Sequence, residues 1–415
     1  GKRNINVYGL PETAFPSWLG LLSGLGRGLL VLTDTEKEAQ SLQQFLEDLL
    51  GGESAPVVFP ENEIPPYRLY ARSNESMHRR IRILDGVLRE EIRLVIAPMK
   101  ALMEPLIPPD VLRDRTFSLH PGDRVEPEEL LSRLVDLGYE FREPVEHPGQ
   151  FSHRGGILDI YSLAHEAPVR LEFFDDEVDS LRSFDPETQR STGRLEEFRV
   201  LPARELQLTP EIRARVLPGL QKELKSTLKK LIDAQQGESA RKLEESLRED
   251  LDLLAEGGYQ ESLDRWMHLC YPPEGTLLSY LGENCLVAGE NLNRLGDRLQ
   301  EEERLRTENY LDYVAEGLTL PSQREQLKGR DLLEPVLSAA AGVWFSALPR
   351  RQGRTGPDAL VEVSARGVPG YLGKTGLLAD DLRSWLESGR QVYLSVGNRE
   401  RLRYLEEELE ALDLP

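Results

Sequence analysis

The sequence predicts an α/β protein whose first domain is built on a mostly parallel sheet and is interrupted by a small α+β insert. Two observations support this fold class. Strand and helix patterns alternate over residues 1–115, and this alternation returns after about residue 337. Between these regions, residues 116–201 change to short strands separated by Gly and Pro turns. Strand–helix alternation produces a parallel sheet covered on both faces, whereas short strands with tight turns favour antiparallel pairing.

The elements of the first region follow from apolar runs and helical periodicity. A helix is predicted over residues 35–50, because its apolar side chains recur on one face and Glu36 and Glu38 occupy its first turn. A second helix is predicted over residues 73–88. Short apolar runs predict strands at residues 5–8, 28–33, 57–59 and 94–97.

The insert has one predicted helix, residues 127–137, and a strand of regular alternation, residues 169–174 (VRLEFF). Alternate side chains of a strand point to opposite faces. The face expected to meet the core is formed by Val169, Leu171 and Phe173. The other face then carries Arg170 and Phe174, about 13 Å apart along the strand. An aromatic residue and an arginine on an outward face are typical of a protein-binding hot spot.

Residues 202–336 are predicted to be rich in helices, with a buried strand at residues 286–288 and a charged, solvent-facing helix over residues 301–316. Two leucine stripes recur at helical spacing: Leu220, Leu224, Leu228 and Leu231, then Leu243, Leu247, Leu251 and Leu254. The stripes fit either packing on the first domain or a coiled coil. Because they are short, we favour packing.

The last region is predicted to be a compact α/β unit. Its expected strands are residues 343–348, 360–363 and 391–395, and its expected helices are residues 377–387 and 399–412.

The composition limits the compartment and the partners. A net charge of −21 argues against the whole surface binding nucleic acid, so DNA contact would need a local basic patch or a partner protein. The two cysteines, Cys270 and Cys285, lack metal-ligand spacing and indicate a reducing compartment, with a disulfide as the alternative. We predict a cytoplasmic protein, because neither a membrane-spanning run nor a signal segment is evident.

A strand followed by a Gly-containing turn and a helix has the order of a nucleotide-binding fold, but the phosphate-loop residues are missing. Counted from Gly9, Ala14 stands where the second glycine is needed, Phe15 at the lysine and Pro16 at the hydroxyl residue. We interpret this as a degenerate nucleotide loop; the alternative is an ordinary strand–helix turn. The run Gly373-Lys374-Thr375 is out of register with any such motif.

One stretch of this acidic chain is locally basic. Residues 67–93 carry seven arginines: Arg68, Arg72, Arg79, Arg80, Arg82, Arg89 and Arg93. They could contact DNA or a partner, but a helix paired with its acidic neighbours is the simpler interpretation. The six histidines are scattered, so no metal site is predicted, and no nucleophile–base pair suggests a catalytic residue.

Several runs of the sequence resemble one known protein family. Residues 154–161 (RGGILDIY), 168–191 (PVRLEFFDDEVDSLRSFDPETQRS) and 201–205 (LPARE) resemble the UvrB-homology module of the bacterial transcription-repair coupling factor (Mfd) family. The resemblance continues at residues 59–67, 272–281 and 401–409, so it covers essentially the whole chain.

The resemblance implies an architecture. It is a UvrB-like, motor-type α/β domain with a degenerate nucleotide site, split by an inserted α+β domain and followed by a small α/β domain. The implied domains are 1a (1–115), the inserted UvrA-binding domain 2 (116–201), the helix-rich domain 1b (202–336) and domain 3 (337–415).

The resemblance also implies the partner and the site. The family's insert binds UvrA, and the residues for that contact correspond here to Arg154, Arg170 and Phe174. The alternative is that the two arginines only pair with Glu172 or Asp175 on the sheet. RNA polymerase and DNA would be bound by other domains of the parent protein, and a C-terminal domain would mask the UvrA surface.

Catalytic residues, cofactors and metal are not expected in this chain, and ATP and Mg²⁺ would belong to the parent's motor domains. We expect a monomer. UvrB itself, as a helicase or DNA-binding module, is the nearest alternative. It would require an intact phosphate loop and a DNA-clamping hairpin, whereas residues 97–105 continue without an insertion.

Overall fold

The computed structural model describes residues 4–51, 55–61, 74–272, 275–282, 284–326, 341–348 and 357–365, and then residues 367–368, 370–371, 374–394, 396 and 399–412. Within these ranges no helix is long and apolar enough to cross a membrane. Arg68, Arg72 and Gly373 of the sequence analysis lie outside the described residues.

The central feature is a seven-stranded sheet in which every pair of neighbours is parallel. Its order is β15-β1-β14-β13-β2-β4-β3. The strands are β1 (Ile5–Tyr8), β2 (Leu29–Thr33), β3 (Val57–Val58), β4 (Leu94–Pro98), β13 (Leu286–Glu290), β14 (Ala341–Ser346) and β15 (Ala359–Glu362). The predicted α/β class with a parallel sheet is confirmed.

Helices cover both faces of this sheet. Those before the insert are α1 (Phe15–Ser23), α2 (Glu36–Leu50), α3 (Asn74–Leu88), α4 (Met99–Leu102) and α5 (Pro109–Arg115). Those after it are α7 (Pro210–Asp233), α8 (Gly237–Glu256), α9 (Met267–Cys270) and α10 (Leu292–Ala315). Two further helices, α11 (Thr375–Glu387) and α12 (Arg399–Glu410), pack on each other in a small hydrophobic cluster of their own. α10 begins well before the predicted residue 301, because Asn291 caps it by accepting a hydrogen bond from the Arg294 backbone N–H.

Strand β2 shows why the apolar runs are continuous. All five of its residues are buried. Leu30 and Leu32 contact the core under α3, α7 and α8, whereas Leu29 and Val31 contact the core under α1 and α2. A strand buried on both faces needs apolar residues at every position.

The two leucine stripes pack on the first domain, as favoured above. Leu220 and Leu224 of α7 and Leu243 and Leu247 of α8 are buried in the same core as Leu30 of the sheet. The helices pack against each other, but the core they share extends to the sheet. A free-standing coiled coil is therefore wrong.

Two expectations for the last region need correction. β14 and β15, assigned above to a separate domain beginning at residue 337, are hydrogen-bonded on either side of β1 in the central sheet. The sheet therefore crosses that boundary, although the other domain limits stay predictions. Residues 391–394 form no strand. The adjacent residues Tyr393 and Leu394 are 83% and 43% exposed, so the side chains of this stretch do not alternate against a core as a half-buried strand would require.

The insert is a separate α+β unit. Its six-stranded sheet has the order β11-β10-β9-β8-β7-β6, beside a two-stranded pair, β12-β5. The strands are β5 (Phe117–Leu119), β6 (Glu140–Phe141), β7 (Gln150–Arg154), β8 (Ile157–Ile160), β9 (Val169–Phe174), β10 (Glu177–Phe184), β11 (Ser191–Arg194) and β12 (Phe198–Val200). Helix α6 (Pro127–Asp136) covers one face through Leu130 and Leu134.

Ion pairs connect the two segments of the first domain that flank the insert, and another joins the insert itself to that domain. Arg80 of α3 is fully buried and bonds Glu104 and, beyond the insert, Glu205. Arg199 of β12 bonds Asp85 at 2.7 Å. Removing one partner of such a pair leaves a buried charge, so these contacts hold the insert in place.

Both cysteines are free and buried, so the disulfide alternative is wrong. Burial raises the pKa of the Cys270 thiol to about 12 and that of Cys285 to about 11.

Candidate functional site on the open face of the inserted sheet

The face of the inserted sheet turned away from α6 is partly open, and we call this part the open face. It is formed by Arg154, Ile157, Arg170, Glu172 and Phe174. The alternation predicted for β9 is present, since Val169 and Leu171 are buried in the insert core and Phe174 is exposed. The predicted site residues are therefore presented on one surface.

Phe174 is the most exposed of these side chains. It lies at the end of β9, opposite Glu177, where a tight turn leads into β10. Asp175 in this turn has a φ of 59°, the left-handed region that Asp tolerates better than most residues. The ring is 80% exposed. A partner that covers this ring removes apolar surface from water, which favours binding.

Arg170 is held in place rather than free. Its Nε and Nη2 donate to Asp159 Oδ1 and Oδ2, both at 2.7 Å, in a bidentate pair. The guanidinium also lies 4.8 Å from the centroid of the Phe184 ring. The hydrogen bond to Asp159 raises the pKa of Arg170. The predicted alternative named the wrong partners, because the bonded carboxylate is Asp159 of β8 and not Glu172 or Asp175.

Arg154 is more accessible. It ends β7, its side chain is 68% exposed, and it pairs with Glu143. An exposed pair of this kind contributes about 0–1 kcal/mol to stability. The guanidinium can therefore exchange Glu143 for a partner's carboxylate at small cost.

Ile157 was missed by the sequence reasoning. It is 40% exposed and stands in register between Arg154 of β7 and Glu172 of β9. Residues opposite each other in a sheet share a face, so Arg154, Ile157 and Glu172 form one row about 10 Å wide. The two-residue turn Gly155-Gly156 was the available signal, because it places Ile157 opposite Arg154.

The remainder of this side of the sheet is closed. Phe184 is fully buried there, and Asp159 is 8% exposed. The Gln189 side chain donates to the Val145 carbonyl at 3.3 Å and ties together the two loops that contain these residues. Arg170 lies at the border between the closed part and the open face.

The predicted degenerate loop has a geometry that disfavours phosphate binding. A Cβ atom on Gly9, whose φ is 86°, would lie 2.5 Å from the Val363 carbonyl oxygen, so the glycine allows close strand packing. The Ala14 N–H donates to Pro11 at 2.9 Å, and Pro16 has no N–H. Phe15 is buried, with its ring 5.0 Å from that of Phe345. The Ala14 N–H is thus already bonded and Pro16 lacks one, at positions where a phosphate loop would present free donors.

A cavity of about 570 Å³ lies beside this loop, at the carboxyl ends of β2 and β13. Its charged lining residues are the acidic Asp34, Glu38 and Glu290 and the basic Lys37 and Arg294. Arg294 bonds Asp34 at 2.6 Å and Glu38 at 3.3 Å, so the nearest guanidinium is already paired. Three carboxylates against two basic side chains leave the lining slightly acidic, which does not favour a triphosphate.

The basic stretch is largely structural where it is described. Arg80 is buried between two glutamates, and Arg89 pairs with Glu91 at 2.8 Å. The predicted pairing with acidic neighbours therefore holds for Arg89, whereas Arg80 pairs with the distant Glu104 and Glu205. Arg79 and Arg82 are exposed. Among the described residues, no group of three His, Cys, Asp or Glu side chains is placed to hold a metal ion.

Known proteins similar to this chain agree with this architecture. Residues 117–206 match the family described as "UvrB interaction domain". The chain is 30% identical to a transcription-repair-coupling factor of Bacillus subtilis (strain 168) over 412 residues, 98% of this chain and 34% of that protein. The protein of the same name from Staphylococcus aureus (strain USA300) is 25% identical over 428 residues, covering 100% of this chain and 35% of that protein.

The chain thus spans about a third of the length of these curated relatives. Both matches run along nearly the whole chain, and the matched domain coincides with the insert that carries the open face. The chain belongs to the transcription-repair coupling factor family, in which it corresponds to the N-terminal, UvrB-like module.

Proposed function

We propose that this chain is a non-catalytic recruitment module that binds UvrA through the open face. In the parent protein it would bring UvrA to a stalled RNA polymerase for transcription-coupled nucleotide excision repair, in the cytoplasm. The polymerase and DNA would be bound, and ATP hydrolysed, by parts of the parent outside this chain.

The observation that carries the proposal is the 80% exposed Phe174 ring on the same face as Arg154 and Arg170. Aromatic and arginine anchors dominate the binding energy of protein interfaces. Arg170 is preorganised by Asp159, so little side-chain entropy is lost on binding. The match to the UvrB interaction domain family over residues 117–206 supports the choice of partner.

The test is a titration of purified UvrA with Phe174→Ala and Arg154→Ala. We expect Phe174→Ala to cost about 2 kcal/mol of binding, roughly thirtyfold in affinity. The insert supplies matched controls. Phe141 is 55% exposed on β6, and Arg142 is an exposed arginine paired with Glu140 at 3.3 Å.

Phe141→Ala and Arg142→Ala should bind UvrA like the parent chain. Equal affinities for all four variants would exclude the open face as the docking surface. Arg170→Ala is less suitable as a single test, because it also leaves the carboxylate of Asp159 buried without its partner.

The non-catalytic part of the proposal rests on the loop geometry. Phe15 and Pro16 replace the residues that would hold phosphate and metal, and the adjacent cavity is acidic. We expect ATP with Mg²⁺ to leave the melting temperature unchanged and to undergo no turnover. A raised melting temperature would instead favour the UvrB-like, nucleotide-binding alternative.

A further inference from the structure

Helix α7 carries a row of lysines on its outer side. Four of the ten lysines in the chain fall within nine residues: Lys222, Lys225, Lys229 and Lys230. All four are exposed. The buried side of α7 is formed by Leu220 and Leu224, and a helix has about 3.6 residues per turn. Lys222 and Lys229 are therefore almost directly opposite the buried leucines, with Lys225 beside them.

The basic charge of this row is not neutralised by its surroundings. Within the described ranges, none of the four lysines forms an ion pair. Glu223, the single carboxylate between residues 212 and 232, is turned away, and it accepts a hydrogen bond from the Ser322 backbone N–H at 2.7 Å. Asp233, the last residue of α7, follows Lys229 by four positions, but within the described residues no ion pair joins the two. The ammonium groups of the row are therefore exposed and unpaired.

The neighbouring helix shows the contrasting arrangement. On α8, Arg241 pairs with Glu238 and Glu245, Lys242 pairs with Glu238, and Arg248 pairs with Glu244. This is the usual ladder of a solvated helix, in which basic and acidic residues three or four positions apart neutralise each other. α7 lacks such a ladder in a chain whose net charge is −21. A concentrated positive row in an acidic protein needs a different explanation from general solubility.

The shape of the row indicates the chemistry of its ligand. Lys222 and Lys229 are about 10 Å apart along the helix, which corresponds to about three base-pair steps of DNA. Lysines are flexible point charges that contact phosphate without reading bases. A protein partner would need a central aromatic or arginine anchor in a pocket. The row has neither, so a regular line of phosphates fits it better than an acidic protein segment.

We propose that the outer face of α7 is a sequence-independent contact for the phosphate backbone of duplex DNA, formed by Lys222, Lys225 and Lys229. This surface is separate from the open face, and it is not the arginine-rich stretch considered from the sequence. The proposal does not depend on UvrA docking.

The experiment is a fluorescence-anisotropy titration of the chain with labelled duplex DNA of random sequence, at salt concentrations from about 50 to 200 mM. The test variant is K222Q/K225Q/K229Q. The matched control is R241Q/K242Q/R248Q on α8, which removes the same number of positive charges from paired positions. Both variants should retain the parent's melting temperature, because all six side chains are on the surface.

The parent and the control should bind duplex DNA with affinities that fall steeply with salt. The α7 variant should lose about tenfold in affinity at low salt, and its plot of log affinity against log salt should be less steep by about 2.7. Equal slopes for the two variants, or no binding by the parent at the lowest salt, would overturn the proposal. Stronger competition by a poly-glutamate peptide than by unlabelled duplex would assign the row to an acidic protein segment instead.

Discussion

Two aromatic side chains in this molecule have opposite environments, and the difference separates a surface for binding from a site that has been filled. Phe174 ends a strand of the inserted sheet with 80% of its surface exposed. Phe15 begins α1, where a nucleotide-binding fold would present phosphate-binding groups, and it is 8% exposed against Phe345. The ring of Phe15 stabilises the first domain, whereas the ring of Phe174 contributes nothing to folding that the structure shows.

The largest expected effect comes from Phe15→Ala. Deleting a buried phenylalanine removes apolar contact and leaves a cavity, so the free energy of unfolding should fall by about 3–5 kcal/mol. Chemical denaturation measures this loss. The folded fraction should bind UvrA as before, because the open face lies on the insert. A stability close to that of the parent would show that the ring of Phe15 is not part of the core.

A second effect concerns the junction between the first domain and the insert. His78 of α3 is buried, and desolvation, with Arg82 and Arg204 nearby, lowers its pKa from 6.5 to about 4. The folded state therefore keeps His78 neutral, while the unfolded chain takes up a proton below pH 6.5. Stability should be fully present above pH 6.5 and should fall by about 3 kcal/mol as the pH drops to about 4.

His78→Gln isolates this contribution, since it removes the titrating group and keeps a polar side chain. Chemical denaturation at a series of pH values gives the free energy of unfolding of the parent and of the variant. Plotted against pH, the two free energies should converge towards acidic pH. If the two curves stay parallel, His78 is protonated in the folded protein.

Asp159→Asn tests how strongly UvrA binding by the open face depends on the ion pair that holds Arg170 in place. The substitution removes the charge that fixes both nitrogens of Arg170, and hydrogen bonds to charged groups contribute about 1.5–3 kcal/mol. We expect stability to fall by about 2 kcal/mol and UvrA affinity to fall about tenfold in titrations of the folded protein. Unchanged affinity with reduced stability would mean that Arg170 is structural and that Phe174 and Arg154 suffice.

Much of this contrast could be predicted from residue patterns. The alternation in β9 correctly separated Val169 and Leu171 from Phe174, because one buried face specifies strand register. The burial of β2 and the leucine stripes followed from local periodicity. The missing lysine and glycine of the phosphate loop were also visible without a structure.

Other features depend on contacts between distant segments. The partner of Arg170 is 11 residues away in the sequence, on a neighbouring strand, and the Glu205 that pairs with Arg80 is 125 residues away. Neither ion pair can therefore be predicted from local spacing. The assignment of β14 and β15 to a separate domain failed for a related reason. Short strands near the end of the chain pair with β1, and the order of strands in a parallel sheet does not follow their order in the sequence.

Ile157→Ser should have the smallest effect, and it defines the extent of the surface. The side chain is 40% exposed between Arg154 and Glu172, so the folded state gains little from it. Covering it with a partner is worth about 1 kcal/mol, which corresponds to roughly fivefold in UvrA affinity. The same titration measures this change, and Val135→Ser on α6, where the side chain is 60% exposed, is the matched control.

If Ile157→Ser weakens UvrA binding and Val135→Ser does not, the contact includes the row formed by β7, β8 and β9. If neither variant changes the affinity, the partner contacts only the edge of the face near Phe174. Both substitutions remove an exposed aliphatic side chain from the same small domain, and the two sites differ in position. The pair of variants therefore separates the loss of a specific contact from a general loss of surface hydrophobicity.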